Sequence, residues 1–289
     1  MKYNITHETE YNYSIPVTIS QHLIHLEPKN SARQNWLSHE VTIFPKPAYC
    51  VSREDIYGNK VTAFSIEEEH KIFKVTAKGT VDVSDIKMPE TSVAWEDIRE
   101  RLSNPKTPED IEASMFLYPS PLVIFDGAIK RYAQKSFSEG RPFVEAVLDL
   151  NSRIFNDFQY TQGFTKIGTL PSEILRDRKG VCQDFAHFMI ACLRSLGLSC
   201  GYISGYLHTR RENEQPKLIG ADATHAWVFA YLPEVGFLEF DPTNNCIAGE
   251  EHIIVGRGRD FGDVSPLKGV ITGGGPHTLK VAVNVEEIN

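Results

Sequence analysis

Gly180-Val181-Cys182-Gln183-Asp184-Phe185 sets a cysteine where a helix begins. Gly180 breaks a short helix expected over Glu173 to Arg178, and a second helix opens at Val181 or Cys182. From there Phe185, Phe188, Met189, Cys192, Leu193 and Leu196 form one apolar stripe at helical spacing, which Gly197 ends as a C-terminal cap. The unpaired N–H groups of the first turn and the helix dipole favour thiolate over thiol. The same N–H groups can receive an oxyanion. Gly180 lets the chain turn sharply into the helix. Cys182 stands three residues before Phe185, so its side chain is held near the buried stripe.

A thiolate nucleophile needs a base, and the base needs an orienting group. Of the ten histidines, His225 has the most suggestive frame, Asp222-Ala223-Thr224-His225-Ala226-Trp227-Val228-Phe229. It starts a strand expected over His225 to Tyr231, with Trp227 and Phe229 on its own face. A second strand, Phe237 to Asp241, follows the hairpin loop Leu232-Pro233-Glu234-Val235-Gly236. If Tyr231 faces Phe237, Asp241 becomes the diagonal neighbour of His225 on the same face. A loop longer or shorter by one residue sends Asp241 to the opposite face, and the pairing fails. Asp241 would fix the tautomer and orientation of His225. Asp222 is the competing orienting acid, and His187, well around the helix from Cys182, reads as structural. Taken singly, His225 is also a plain rim or core histidine, and Asp241-Pro242 a strand-to-turn transition. Taken together, the ordered cysteine, histidine and aspartate carry the stronger signal.

The rest of the chain frames this core. Its first 85 residues read as short antiparallel strands: Tyr11, Tyr13, Ile15 and Val17 alternate with polar neighbours, as do Val41 with Ile43, Val61 with Ala63, and Val81 with Val83. Asp55-Ile56-Tyr57-Gly58-Asn59 is a hairpin turn in which Gly58 and Asn59 tolerate positive φ. His22 and His25 point to opposite faces and read as surface strand residues rather than metal ligands. Pro89, Pro105 and Pro108 mark a connector over 86–108. Helices are expected from about Thr107, from Pro121 to about Tyr132, and from Pro142 to Phe155; a strand is expected over Cys200 to Leu207. Gly273-Gly274-Gly275 lacks the lysine and the helix of a phosphate loop and reads as a flexible turn before a last strand, His277 to Val285. The expected organisation is α+β: an antiparallel β-sandwich-like unit over 1–95, then a core over 96–289 closed by a glycine-rich tail.

Composition narrows the classes. The chain has 289 residues and a formal charge of −8, which argues against a nucleic-acid-backbone binder. Five cysteines with no C-x-x-C pair fit neither a disulfide scaffold nor a knuckle-type zinc site, so neither metal nor cofactor is expected. Cys50, Cys192 and Cys200 read as small buried hydrophobes, while Cys246 stands in a loop. The start shows no apolar signal region, and no apolar run approaches a membrane span. A soluble cytoplasmic protein with no nucleic-acid or membrane partner is the expectation.

Arg178-Lys179-Gly180-Val181-Cys182-Gln183-Asp184-Phe185-Ala186-His187, Ala223-Thr224-His225-Ala226-Trp227-Val228 and Asp241-Pro242-Thr243-Asn244 together resemble the bacterial transglutaminase-like family, a branch of the papain-like cysteine-protease superfamily. His7-Glu8-Thr9-Glu10-Tyr11-Asn12-Tyr13 and Asp55-Ile56-Tyr57-Gly58-Asn59 resemble the β-rich region that precedes that core in bacteria, and Gly256-Arg257-Gly258-Arg259-Asp260-Phe261 is similar to its tail. The resemblance implies a nucleophile helix packed on an antiparallel sheet. It implies Cys182 as nucleophile, His225 as base and acid, Asp241 as orienting group, and acyl transfer from a peptide or other amide substrate through an acyl-enzyme. Tyr160, Gln183 and Trp227 become candidates for the second oxyanion donor or the substrate wall. Gln183, where crosslinking relatives carry tryptophan, and the lack of an acidic calcium cluster favour hydrolysis over crosslinking. An amine acyltransferase and a non-catalytic binding module are the alternatives.

Overall fold

The computed structural model describes residues 1–85, 88–89, 91–208 and 224–288. The first unit contains β1 (Lys2–Glu27), β2 (Gln34–Phe44), β3 (Tyr49–Glu54), β4 (Lys60–Ile66) and β5 (His70–Val83). Helices α1 (Trp95–Ser103), α2 (Pro108–Ser114), α3 (Gly127–Gln134) and α4 (Phe143–Asp157) follow. Next come β6 (Gln159–Tyr160), α5 (Pro171–Asp177), β7 (Lys179–Gly180) and α6 (Cys182–Ser195). The chain closes with β8 (Cys200–Leu207), β9 (His225–Leu232), β10 (Gly236–Asp241), β11 (Cys246–Ile247), β12 (His252–Gly258), α7 (Phe261–Val264), β13 (Leu267–Gly273) and β14 (His277–Ile288). The architecture is α+β, as expected. Among the described residues, no helix is long and apolar enough to cross a membrane.

β1 is the spine of the first unit, and it is flanked along its length on both sides. Its first half pairs with β5 and β14, its second half with β4 and β13, all antiparallel. At Ser14-Ile15-Pro16 the chain bends. There Ile15 N–H donates to the Gly274 carbonyl and Gly274 N–H to Pro16 O. Gly273, Gly274 and Gly275 all hold positive φ (95°, 84° and 58°), which lets β13 turn into β14 beside this bend. The bend folds one half over the other. Phe73, Val75 and Ala77 of β5 then share a buried core with Ile24, Phe64 and Ile66 from the other half. The glycine-rich tail, expected to close the catalytic core, thus supplies two strands to the first sheet instead.

Other expectations shift for identifiable reasons. The 86–108 connector contains α1, which buries Trp95, Ile98 and Leu102 on one face between the prolines that mark its ends. The helix expected from Pro121 starts at Gly127, where the Asp126 carboxylate caps the N–H groups of Ala128 and Ile129. His22 and His25 are buried rather than on the surface; His22 stacks on Phe64 and Phe73. Cys50, expected to be buried, is exposed on β3. In the hairpin turn Gly58 takes a φ of 76°, whereas Asn59 is buried and uses its amide instead.

The second sheet runs β11-β10-β9-β8-β12. One face receives α6: Phe185, Phe188, Met189 and Cys192 pack in one core with Ala226, Val228 and Ala230 of β9. The other face gathers Ile203, Trp227 and Phe229 around Phe116. With both faces covered, every residue of β8 and β9 is buried. The edge strand β12 would leave backbone groups unpaired, and the first unit satisfies them with side-chain amides. Gln34 donates to Ile254 O (2.8 Å) and accepts from Ile254 N–H (2.9 Å). Asn59 does the same with Arg257 O (2.7 Å) and N–H (2.9 Å).

Asn59→Ala removes both bonds to Arg257 and leaves two partly buried backbone groups without them. A loss of about 2–4 kcal/mol is expected from such unsatisfied groups, read as a lowered urea midpoint at unchanged m-value. An unchanged midpoint would show that the edge does not need the amide. The histidines give a pH prediction. Burial pushes His7, His22 and His187 down to about 4 from the ordinary 6.5. Below pH 6.5 the unfolded chain takes up protons that the folded chain refuses, so stability falls from about pH 6.5 to about pH 4. His187→Gln should flatten part of that fall in a series of melting curves.

Candidate functional site

Cys182 is the first residue of α6, and the local sequence builds its seat. The Asp184 carboxylate accepts from Val181 N–H (2.8 Å) and from the Thr165 hydroxyl (2.6 Å), which caps the helix start. Gly180 is needed here for space rather than for an unusual φ: a Cβ would sit 2.8 Å from Asp184 Cβ and 2.9 Å from its Oδ2. β7 pairs in parallel with β6, so Tyr160 lies opposite Gly180 at the mouth of the helix. Cys182 itself is half-buried.

The hairpin of β9 and β10 has the even register: Tyr231 pairs with Phe237, and Val228 with Phe240. Asp241 therefore lies on the His225 face, and its Oδ2 is 2.8 Å from His225 Nε2. The carboxylate also caps its own turn, as Oδ1 accepts from Thr243 N–H (2.8 Å) and Asn244 N–H (3.2 Å). Asn244 Nδ2 donates to Oδ2 at 2.7 Å, and a second imidazole, His252 Nε2, reaches the same oxygen at 3.1 Å. Asp222 lies outside the described residues.

Electrostatics follow from this geometry. Burial pushes the Asp241 carboxyl up, but the charges and hydrogen bonds of His225 and His252 outweigh it and hold it well below the usual carboxylate range. Burial pushes the His225 imidazole down, and the Asp241 charge, the Asp241 hydrogen bond and the Cys182 thiol outweigh that and raise it. With Nε2–H given to Asp241, Nδ1 is the ring atom left for Cys182; it has no other hydrogen-bond partner. Gly249 N–H donates to His252 Nδ1 (3.3 Å), so the His252 proton is on Nε2 and points at Asp241. The donor atoms of His225, Asp241 and His252 lie within 4.8 Å of one another, a spacing a metal ion also uses. The His252 proton occupies the lone pair that such a ligand would need, which favours a hydrogen-bonded cluster.

The remaining candidates separate. Tyr160 is half-buried beside Phe185, and burial together with the nearby Cys182 pushes its hydroxyl up to about 12, so it stays a donor at neutral pH. Gln183 donates to the Ile167 carbonyl (3.2 Å) and fastens the 161–170 loop to the helix. Trp227, a candidate substrate wall, is fully buried and has no surface to offer a substrate. Its ring lies nearly parallel to His225 at 5.9 Å, and its indole N–H donates to Glu239 (2.9 Å). That tryptophan braces the histidine from behind. His187 accepts from Phe261 N–H (3.1 Å) and is structural. Arg178, in the basic run before the cysteine, stacks over Tyr132 and Phe158 and is thereby held by aromatic rings. Neither His252 nor Glu239 is marked by a local sequence pattern. A groove of about 770 Å³ on the first sheet, lined by Gln21, Tyr49 and Val270 among others, contains none of the Cys182 cluster.

Residues 3–82 match the bacterial transglutaminase-like N-terminal region, and residues 130–242 match the transglutaminase-like superfamily. An uncharacterised protein of Mycobacterium tuberculosis is 40% identical over 297 residues, covering 98% of this chain and 92% of its own. The chain belongs to the bacterial transglutaminase-like family. A second uncharacterised protein, from Mycobacterium leprae, is 29% identical over 284 residues, covering 98% of each chain. A solved structure from Cytophaga hutchinsonii, provisionally assigned as a cysteine protease, superposes with a TM-score of 0.76. It covers 100% of this chain and 92% of its own at 20% identity, so the likeness concerns the fold. That shared fold is the transglutaminase-like core with its β-rich partner.

Thiol chemistry tests the site directly. Cys192 and Cys200 are buried, and burial pushes both thiols up; burial also pushes Cys246 up to about 12. Cys50 is the more exposed thiol, but Cys182 stands beside a base. Iodoacetamide at neutral pH is expected to label Cys182 before Cys50 and to spare Cys192 and Cys200 until the chain unfolds, as read by peptide mapping. Faster labelling of Cys50 would mean that His225 does not activate Cys182.

Proposed function

We propose that this transglutaminase-like protein is a cysteine-dependent amide hydrolase acting on a peptide or another amide. The observation that carries the reading is the 2.8 Å bond from His225 Nε2 to Asp241, which leaves Nδ1 as the ring acceptor for the Cys182 thiol that interacts with this imidazole. His225 Nδ1 takes the Cys182 proton, and Sγ attacks the amide carbonyl. The tetrahedral oxyanion is received by the Cys182 N–H at the helix start and by the Tyr160 hydroxyl. His225 Nδ1–H then protonates the departing amine as the C–N bond breaks, which leaves a thioester on Cys182. Water, giving its proton to Nδ1, attacks the thioester. The carboxylic acid leaves, and the thiol regains its proton from His225. Throughout, Asp241 remains ionised and holds the imidazole in the tautomer the cycle needs.

A screen of peptide and amide substrates with mass readout, run with and without an added primary amine, tests the reading. Hydrolysis products independent of amine are expected. Amine-adduct products would make the enzyme an acyltransferase, and no turnover would make the cleft a binding module. With a substrate in hand, Cys182→Ala should abolish turnover at an unchanged melting temperature. Asp241→Asn should lower kcat by orders of magnitude, about 10⁴-fold in triads that lose the correct tautomer. A fully active Asp241→Asn would remove Asp241 from the scheme.

A further inference from the structure

We propose that His252 is a positioning residue for the His225–Asp241 pair and that Arg33, from the first sheet, sets it in place; this rests on the roles given above to Cys182, His225 and Asp241. His252 opens β12, where it pairs with Leu207 of β8. Its Nε2 shares Asp241 Oδ2 with His225, at 3.1 Å against 2.8 Å. The two imidazoles and the Asn244 amide thus converge on one oxygen, and the plane of the carboxylate is fixed from three directions. The ring of His252 is itself fixed. Trp227 meets it edge to face at 5.2 Å, and Gly249 N–H occupies its Nδ1.

Arg33 binds the backbone that carries those contacts. It lies just ahead of β2 and is 5% exposed. Its guanidinium donates to the carbonyl of His252 and to the carbonyl of Gly249 (3.0 Å), the residue whose N–H sets the His252 tautomer. It also donates to Glu239 (3.3 Å), which receives the Trp227 indole. One buried arginine of the first unit therefore holds both supports of His252. Among the described residues, the titratable or charged groups facing His252 include Asp241 and Glu239 on β10, His225 on β9 and Arg33. Arg257 completes the Glu239 pair at 2.6 Å.

Losing the His252 donor leaves Asp241 Oδ2 with one fewer bond to its charged form. A carboxylate freer to turn no longer holds the His225 ring in one orientation, and the imidazole is then less well aimed at Cys182. The transfer of the Cys182 proton to that ring is weakened. The test is the pH dependence of Cys182 alkylation by iodoacetamide in the full chain, which needs no substrate. The set is the wild type, His252→Phe, His252→Gln and His225→Ala. His252→Phe keeps the ring volume without the donor, and the acid limb of the profile should rise by about one pH unit. His252→Gln can still donate an N–H toward Oδ2 and should stay close to the wild type, although both variants lower the melting temperature. A purely structural His252 would shift melting in both variants and the profile in neither.

If His252→Phe overlays the wild type while His225→Ala moves the profile, the His252 role is overturned and the triad stands. If His225→Ala also leaves the profile in place, the triad reading falls and the His252 role with it. Should His252→Phe fail to fold, Arg33→Lys carries the same test. Lysine keeps the buried charge but cannot bridge both carbonyls and Glu239, and the acid limb should again rise; an unmoved limb there overturns the role of Arg33 and His252 alike.

Discussion

A buried carboxylate at the end of β10 has to be satisfied from all sides, because an ionised group left unpaired in a protein interior costs several kcal/mol. Asp241 meets this demand with donors from three places: His225 on β9, His252 on β12, and the turn residues Thr243 and Asn244 that follow it. The strands of the second sheet are therefore tied at one point as well as along their ladders. A slip of one residue in the β9–β10 hairpin would carry Asp241 to the other face and strand its charge among the apolar residues under α6. Register and site specify each other.

Two residues upstream on the same face, Glu239 repeats the problem with a different answer. Its carboxylate is buried and held by Arg257 of β12, by Arg33 of the first unit and by the Trp227 indole. Burial pushes the Glu239 carboxyl up, and the two arginines outweigh that and keep it ionised. One strand thus presents two buried acids. The one with imidazole partners can orient a group able to take and give a proton, and the one with guanidinium partners can only bear load, because arginine does not give up its proton. The first sheet supplies one of those arginines and the two amides that cover β12, so it is a wall of the site rather than a detachable leader.

What the sequence disclosed follows from how local each signal is. The helix of Cys182 is carried by a run of apolar residues at one period and a glycine at each end. The His225–Asp241 pairing is carried by strand alternation and a five-residue loop, all within seventeen consecutive residues. His252 belongs to the same cluster but reaches it by strand order: β12 lies beyond β8, on the opposite side of β9 from β10. No spacing reports that. The same limit hid the pairing of β13 and β14 with β1, since a run of alternating residues tells its faces and not its neighbours. Trp227 shares a face with His225 as expected, but that face is closed by Phe116 and the first unit, which the strand pattern alone does not reveal.

The contrast between Cys182 and its partners bears on how such a site can vary. His225, Asp241 and Trp227 are buried, whereas Cys182 and Tyr160 are half-buried at the start of α6. The segment 161–170 is fastened there through Thr165 to Asp184 and through Gln183 to Ile167, and it exposes Phe164 and Ile167 to solvent. A side chain changed at Phe164 or Ile167 disturbs no buried charge. One changed behind His225 disturbs two. On the function proposed above, the surface open to an incoming amide is thus the part of the site that can change at low energetic cost, while the buried His225–Asp241–His252 cluster is locked by its own electrostatics.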